Sequence, residues 1–249
     1  MKTKKEGVPQ YHSAVLMLKI FTDSLTQEQK IGIFWRLAGK VGALVHSNQE
    51  KPYMFYFRKP SFGLYELNIS SLDASIIKAY ISNAEAMIAT GEAVDVQGLK
   101  VRPVDVFPVK DLDYIGEKVC LVTETGCCVC KRIRTKSGKR SRYYLDPRKE
   151  NDVEEWKGII ARKLAARTKM FTGNEVEEGS IAVEVIDATR REFVNYKSAN
   201  LPTDKVQIEI TAPSPAVFTA IYGGIGSHTG AGFGAVRVAK KKLRRSVAA

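Results

Sequence analysis

Two successive stretches of this chain carry the same order of apolar patterns, and that recurrence constrains the fold more than any other feature. In the first, Ala14–Ile20 reads as a buried strand, and Thr26 with Gln29 three residues on forms a capping box that opens a helix. Ile33, Phe34, Leu37, Val41 and Leu44 recur at helical spacing and mark its inner face. Tyr53–Phe57 and Leu64–Ile69 are aromatic and β-branched runs, and the Lys59–Gly63 segment between them predicts a hairpin. A helix after Asp73 turns Ile76, Ile77, Tyr80, Ile81, Ala84 and Met87 inward, and Val101–Val109 closes the unit as a strand.

The second stretch reads as strand Lys118–Thr123, helix Val153–Phe171, a hairpin pair Ile181–Asp187 and Arg191–Lys197, strand Val206–Thr211, short helix Pro213–Tyr222 and a last strand Ala235–Ala239. Strand, helix, strand, strand, helix, strand is the ferredoxin-like order. The expected fold is therefore α+β, with two tandem ferredoxin-like (RRM-like) βαββαβ domains over residues 1–112 and 113–249. Their junction falls at Pro108–Gly116, and a basic β-ribbon, Cys127–Leu145, is inserted in the second. The 249 residues are enough for two cores.

The ribbon concentrates charge. Lys131, Arg132, Arg134, Lys136, Lys139, Arg140 and Arg142 fall within twelve residues, and no carboxylate intervenes before Asp146. Crowded cations repel one another unless an anion neutralises them, and a formal net charge of +12 over the chain favours a polyanion as partner. Nucleic acid leads, with the ribbon as its contact. Lys157, Arg162, Lys163, Arg167 and Lys169 on the following helix read as its solvent face, and Lys240, Lys241, Lys242, Arg244 and Arg245 add a basic tail. A membrane is not expected: Lys19 interrupts the apolar run Ala14–Phe21, and the cations lie on a ribbon rather than along one face of an amphipathic helix. Gly7–Ser13 puts polar residues where a signal peptide needs its apolar stretch, so a cytoplasmic protein is expected. Cys120, Cys127, Cys128 and Cys130 lack paired Cys-x-x-Cys spacing and a nearby histidine, so they read as reduced strand residues, with no metal site and no cofactor.

A second concentration is of glycine. Six of the twelve residues from Gly223 to Gly234 are glycine, which lets the backbone take positive φ and approach another backbone or a phosphate closely. A Walker loop would end in Gly-Lys-Ser/Thr, whereas Ala231 follows Gly230. A dinucleotide fingerprint needs a strand before it and a helix after, and the order here is reversed. The expectation is a docking loop in which Gly224, Gly226, Ser227, His228, Thr229, Gly232 and Gly234 contact RNA.

Together, the duplicated layout, the Tyr144-Leu-Asp-Pro147 segment ahead of a basic helix, and the loop from Tyr222 to Gly234 ending Gly-Phe-Gly resemble the CRISPR repeat-processing endoribonucleases of the RAMP superfamily. The resemblance covers most of the chain. It implies metal-independent cleavage of CRISPR repeat RNA, in which the ribose 2′-hydroxyl attacks the adjacent phosphate and leaves a 2′,3′-cyclic phosphate and a 5′-hydroxyl. The protein must then move two protons and stabilise the phosphorane charge. His46, in a loop after the first helix, is where the family often places its histidine, and an imidazole titrates near neutral pH. Lys51 is the candidate for neutralising the phosphate, and Tyr53 a candidate hydrogen-bond donor; His228 is a second candidate imidazole. The resemblance further implies a homodimer and association with a CRISPR interference complex. Two other classes stay open: a non-catalytic subunit that only holds repeat RNA, and an unrelated RNA-binding module stacking bases on Tyr53, Phe55 and Phe57, which read more readily as core.

Overall fold

A computed structural model describes residues 11–39, 51–112, 115–135 and 137–239. The first half builds a five-stranded sheet in the order β2-β3-β1-β5-β4, from β1 (Ser13–Lys19), β2 (Tyr53–Ser61), β3 (Leu64–Ser71), β4 (Val94–Val96) and β5 (Leu99–Val109). Helices α1 (Gln27–Leu37) and α2 (Ala74–Thr90) cover one face. The capping box forms as expected, with Thr26 accepting from the Gln29 amide while the Gln29 side chain accepts from the Thr26 amide. Ile33, Phe34 and Leu37 are buried as predicted; Val41 and Leu44 lie outside the described residues. The short strand β4 was not expected. It forms because Gln97 and Gly98 both take positive φ, with Asp95 accepting from the Gly98 amide, so the chain reverses straight into β5.

The second half builds a four-stranded sheet in the order β11-β6-β10-β9, from β6 (Lys118–Thr123), β9 (Ala182–Tyr196), β10 (Ala199–Thr211) and β11 (Val236–Val238), covered by α3 (Glu150–Thr172) and α4 (Ser214–Gly223). Both sheets share the ferredoxin-like order, fourth, first, third, second strand. One expectation is corrected here. The pair Ile181–Asp187 and Arg191–Lys197 is not a hairpin but the single strand β9, which stays paired with β10 through two register shifts. Bulges absorb the polar stretch that resembled a turn. The real hairpin turn is Lys197-Ser198, both at positive φ, one step further along.

The two halves share a core. The start of strand β2 is buried on both faces: Tyr53 and Phe55 join the aromatic cluster of the first half, while Met54, with Leu72, packs into the core of the second among Ile221, Tyr222, Ile225 and Val236. The Val236 amide meets the Met54 sulfur at 3.4 Å. Among the described residues no helix is long and apolar enough to cross a membrane.

Candidate nucleic-acid interface

Strands β7 (Cys130–Arg134) and β8 (Arg140–Tyr144) form the expected ribbon as a separate two-stranded sheet. Its register sorts the cations. Arg132 lies directly opposite Arg142 and Arg134 opposite Arg140, so one exposed face carries two cross-strand arginine pairs. Among the described residues no carboxylate forms an ion pair with any of the four. Like charges directly opposed destabilise a strand pair, so this face is built at a cost that a bound polyanion removes. Lys131 sits on the other face, ion-paired with Glu155 of α3 and 5.5 Å from the centre of the Tyr143 ring. It fastens the ribbon to the helix rather than extending the arginine face. Lys139 is exposed in the ribbon turn, and Lys136 lies outside the described residues, as does the basic tail.

The glycine loop folds onto the base of this ribbon. Gly224, Gly226, Gly232 and Gly234 have φ of +77°, +80°, +80° and +65°. A Cβ on Gly234 would stand 1.9 Å from the Ile225 carbonyl oxygen, and one on Gly226 would stand 2.8 Å from that of Cys128. These four glycines are buried, and the close approach they permit is to neighbouring backbone. The Ile225 amide donates to the Gly234 carbonyl at 3.0 Å, Gly234 to Gly126 at 3.0 Å and Ser227 to Cys128 at 2.7 Å. Of the loop's 227–230 stretch, His228 and Gly230 are half-buried while Ser227 and Thr229 are buried. His228 is half-buried at positive φ, its ring 6.2 Å from Tyr196 and 6.4 Å from Phe233.

A cavity of about 780 Å³ opens between the halves at this point. Lys51, Trp35 and Ile31 line it from the first half; Arg132, Arg142, Cys130, Lys163, Tyr196, Lys197 and the loop residues Ser227–Ala231 line it from the second. The fold thus brings Lys51, the arginine ribbon and His228 into one cleft from positions far apart in sequence. Burial pulls the Lys51 ammonium below the ordinary lysine range. Contact with the loop is intimate: a Cβ on Gly230 would stand 2.3 Å from the Lys51 Cγ.

Not every expected residue reaches the cleft. Tyr53 is fully buried beside Phe34, at 4.9 Å between ring centres, and its hydroxyl has no hydrogen-bond partner among the described residues. Burial raises its phenol above the ordinary tyrosine range, and Phe34 stacks on Phe55 at 4.2 Å. The aromatic run is core, because the first half closes its sheet on α1 with these rings. Tyr53→Phe is therefore expected to shift stability by under about 1 kcal/mol, since the hydroxyl removed makes no bond. A melting temperature lowered by more than about 4 °C would show that the hydroxyl is bonded. His46 lies outside the described residues, and His12 is remote from the cleft, paired with Asp111 at 2.6 Å.

Arg167 and Lys163, expected on the solvent face of α3, do not lie there: Arg167 is buried and Lys163 lines the cleft. Arg167 is 2% exposed and donates to three carbonyls, Gly223 at 2.6 Å, Gly224 at 2.9 Å and Lys51 at 2.9 Å. One guanidinium thus ties the start of the glycine loop to Lys51 across the two halves. The signal was in the helix period: Trp156, Ile160 and Leu164 set the buried stripe of α3, and Lys163 and Arg167 fall beside it. Lys157, Arg162 and Lys169 do lie outward, paired with Glu184, Glu178 and Glu175. Among the described residues no group of three or more His, Cys, Asp or Glu side chains is placed to hold a metal ion, and burial pushes the Cys128 thiol up to about 12.

Residues 109–238, more than half of the chain, match the family model for "CRISPR associated protein Cas6, C-terminal". The chain belongs to the Cas6 family. Solved structures agree in fold at low sequence identity. A Cas6-related protein from Pyrococcus furiosus is 15% identical, with a TM-score of 0.74 over 93% of this chain and 100% of that one. A RAMP protein binding different RNA substrates is 15% identical with a TM-score of 0.71, over 92% of this chain and 99% of the other. A Cas6 product complex is 13% identical with a TM-score of 0.68, over 92% and 100%. No curated protein matches the chain. Membership of the Cas6 family ties this chain to CRISPR repeat RNA, in its binding or its processing.

Proposed function

We propose that this chain is a metal-independent endoribonuclease that cuts CRISPR repeat RNA by attack of a ribose 2′-hydroxyl on the adjacent phosphate. The observation that carries the reading is the convergence of Lys51, His228 and the Arg132–Arg142 pair on one cleft. The arginine pair supplies the charge that holds RNA, and Lys51, partly desolvated, supplies positive charge where the phosphorane forms. His46, five residues before Lys51 in the chain, is the proposed general acid or base, with His228 as a phosphate contact. A homodimer and delivery to an interference complex belong to the same reading and rest on the resemblance.

The test is incubation of the purified protein with labelled repeat RNA in excess chelator, beside RNA carrying a 2′-deoxy substitution at the scissile nucleotide. Chelator-resistant cleavage that the 2′-deoxy substitution abolishes is expected, with His46→Ala and Lys51→Ala each slowing cleavage by about 10²- to 10⁴-fold while binding persists. Cleavage that needs a divalent cation overturns the mechanism. Tight binding by the wild type with no cleavage identifies the RNA-holding subunit instead.

A further inference from the structure

The ribbon belongs to neither main sheet, and an isolated two-stranded hairpin is marginal by itself, so something must fix its direction. Its two legs are held differently. The incoming leg is held by backbone: Cys127 and Asp204 exchange two amide-to-carbonyl bonds at 2.8 Å, and the Ser227 amide donates to Cys128. The outgoing leg, Leu145-Asp146, makes one backbone bond to the ribbon's own base, from the Leu145 amide to Val129 at 3.0 Å, and one local bond, from the Lys149 amide to the Asp146 carbonyl at 3.0 Å. Side chains do the rest.

Asp152 of α3 accepts from the Asp146 amide at 3.0 Å and from the Tyr143 hydroxyl at 3.1 Å, and beside it two carboxylates and two guanidiniums grip the leg. Arg191 of β9 grips Asp204 of β10 with both forks, Nε to Oδ1 at 2.9 Å and Nη2 to Oδ2 at 2.8 Å. The same Nη2 donates to the Leu145 carbonyl at 2.7 Å, and Nη1 stands 3.5 Å from the Asp146 carboxylate. Arg148 closes the set with two bonds of 2.9 Å to Asp146. Asp204 and Asp146 are 2% and 5% exposed. Two opposite charges of each kind cancel, which is the condition under which buried ions are tolerated. Ion pairs of this kind contribute little net stability relative to apolar packing, and their best-attested role is to select one arrangement among several.

We infer that Arg191 and Asp204 are positioning residues for RNA binding: they fix the outgoing leg of the ribbon so that Arg132 and Arg142 face the cleft. The inference rests on the reading of the cleft as the RNA site. With the grip loosened, the ribbon pivots about its backbone-paired leg at Cys127–Val129, and the arginine pair leaves the path of the phosphates. The Tyr144–Pro147 segment, which had no role in the fold as read from sequence, is the part of the chain being gripped.

Arg191→Lys keeps the charge and removes the fork, so it separates position from charge. Affinity for repeat RNA made uncleavable by a 2′-deoxy scissile nucleotide is measured across salt concentrations, well below the melting temperature, for the wild type, Arg191→Lys, Arg132→Gln/Arg142→Gln and the triple variant. Arg191→Lys is expected to weaken binding about 10²-fold, as far as the arginine double change does, and to make the slope of log K against log salt shallower by about 1.4, two single-strand phosphate contacts at about 0.7 each. The arginine double change should then cost little more in the Arg191→Lys background than Arg191→Lys alone. A role confined to stability lowers the melting temperature but leaves affinity and salt slope at wild-type values, and that result overturns the inference. Should Arg191→Lys fail to fold, Arg148→Gln, at the half-exposed edge of the set, decides: a partial loss in the same direction supports positioning, and full affinity overturns it. Absence of RNA binding by the wild type overturns the RNA reading itself, a different result from a wild type that binds and a variant that binds equally well.

Discussion

Arg167→Ala is expected to lower the melting temperature by roughly 10 °C and to reduce repeat-RNA affinity in the same protein. The change leaves the carbonyls of Gly223, Gly224 and Lys51 without their donor in a buried site. Each orphaned group costs about 1–3 kcal/mol, so a total near 3–5 kcal/mol is expected, and about 2–4 °C of melting temperature goes with each kcal/mol in a chain of this size. Arg167→Lys should recover only part of this, because a single ammonium cannot span three carbonyls that the planar fork reaches together. Thermal melts followed in both halves read the effect. A shift under about 2 °C would show that water replaces the guanidinium at no cost and that the clamp is incidental.

Arg132→Gln/Arg142→Gln carries the second large effect, with opposite signs in two readouts. The pair is directly cross-strand and exposed, so neutralising it relieves a repulsion worth a few tenths of a kcal/mol or more, and the melting temperature holds or rises. RNA affinity falls by about 10²-fold or more, since each charge-assisted contact to phosphate is worth about 1.5–3 kcal/mol. Charge reversal at Arg134 and Arg140, on the same face, should act in the same direction. Loss of stability together with affinity would mean that the arginines hold the ribbon up instead of holding RNA. Unchanged affinity would remove the ribbon from the interface.

Much of the fold was legible because periodicity and capping act locally. Thr26 and Gln29 announce α1, Asp73 announces α2, and the aromatic alternation of Tyr53 and Phe55 announces a buried strand face. The failure at β9 has a local cause as well: Ala188-Thr-Arg190 reads as a break, while pairing with β10 carries the strand through it on bulges. The glycine loop is legible in the sequence, but the backbone it packs against is not. Sequence shows that a backbone is free to approach something closely, and only the fold shows that the something is Ile225 and Cys128. Arg167 was expected outward for a related reason. A buried arginine is legible only when the carbonyls that receive it are known, and these come from residues 56 and more positions away.

Burying the start of β2 on both faces has a consequence for synthesis. Met54 waits for the Val236 amide and the α4–β11 surface, which leave the ribosome 182 residues later. At about 5–20 residues per second that interval is on the order of 10–40 s, and from the completion of β5 onward the first half can close its aromatic core while carrying an uncovered apolar face at Met54 and Leu72. The nascent chain is thus exposed to mispairing for much of its translation, and the last strand to emerge is the one that ends the exposure.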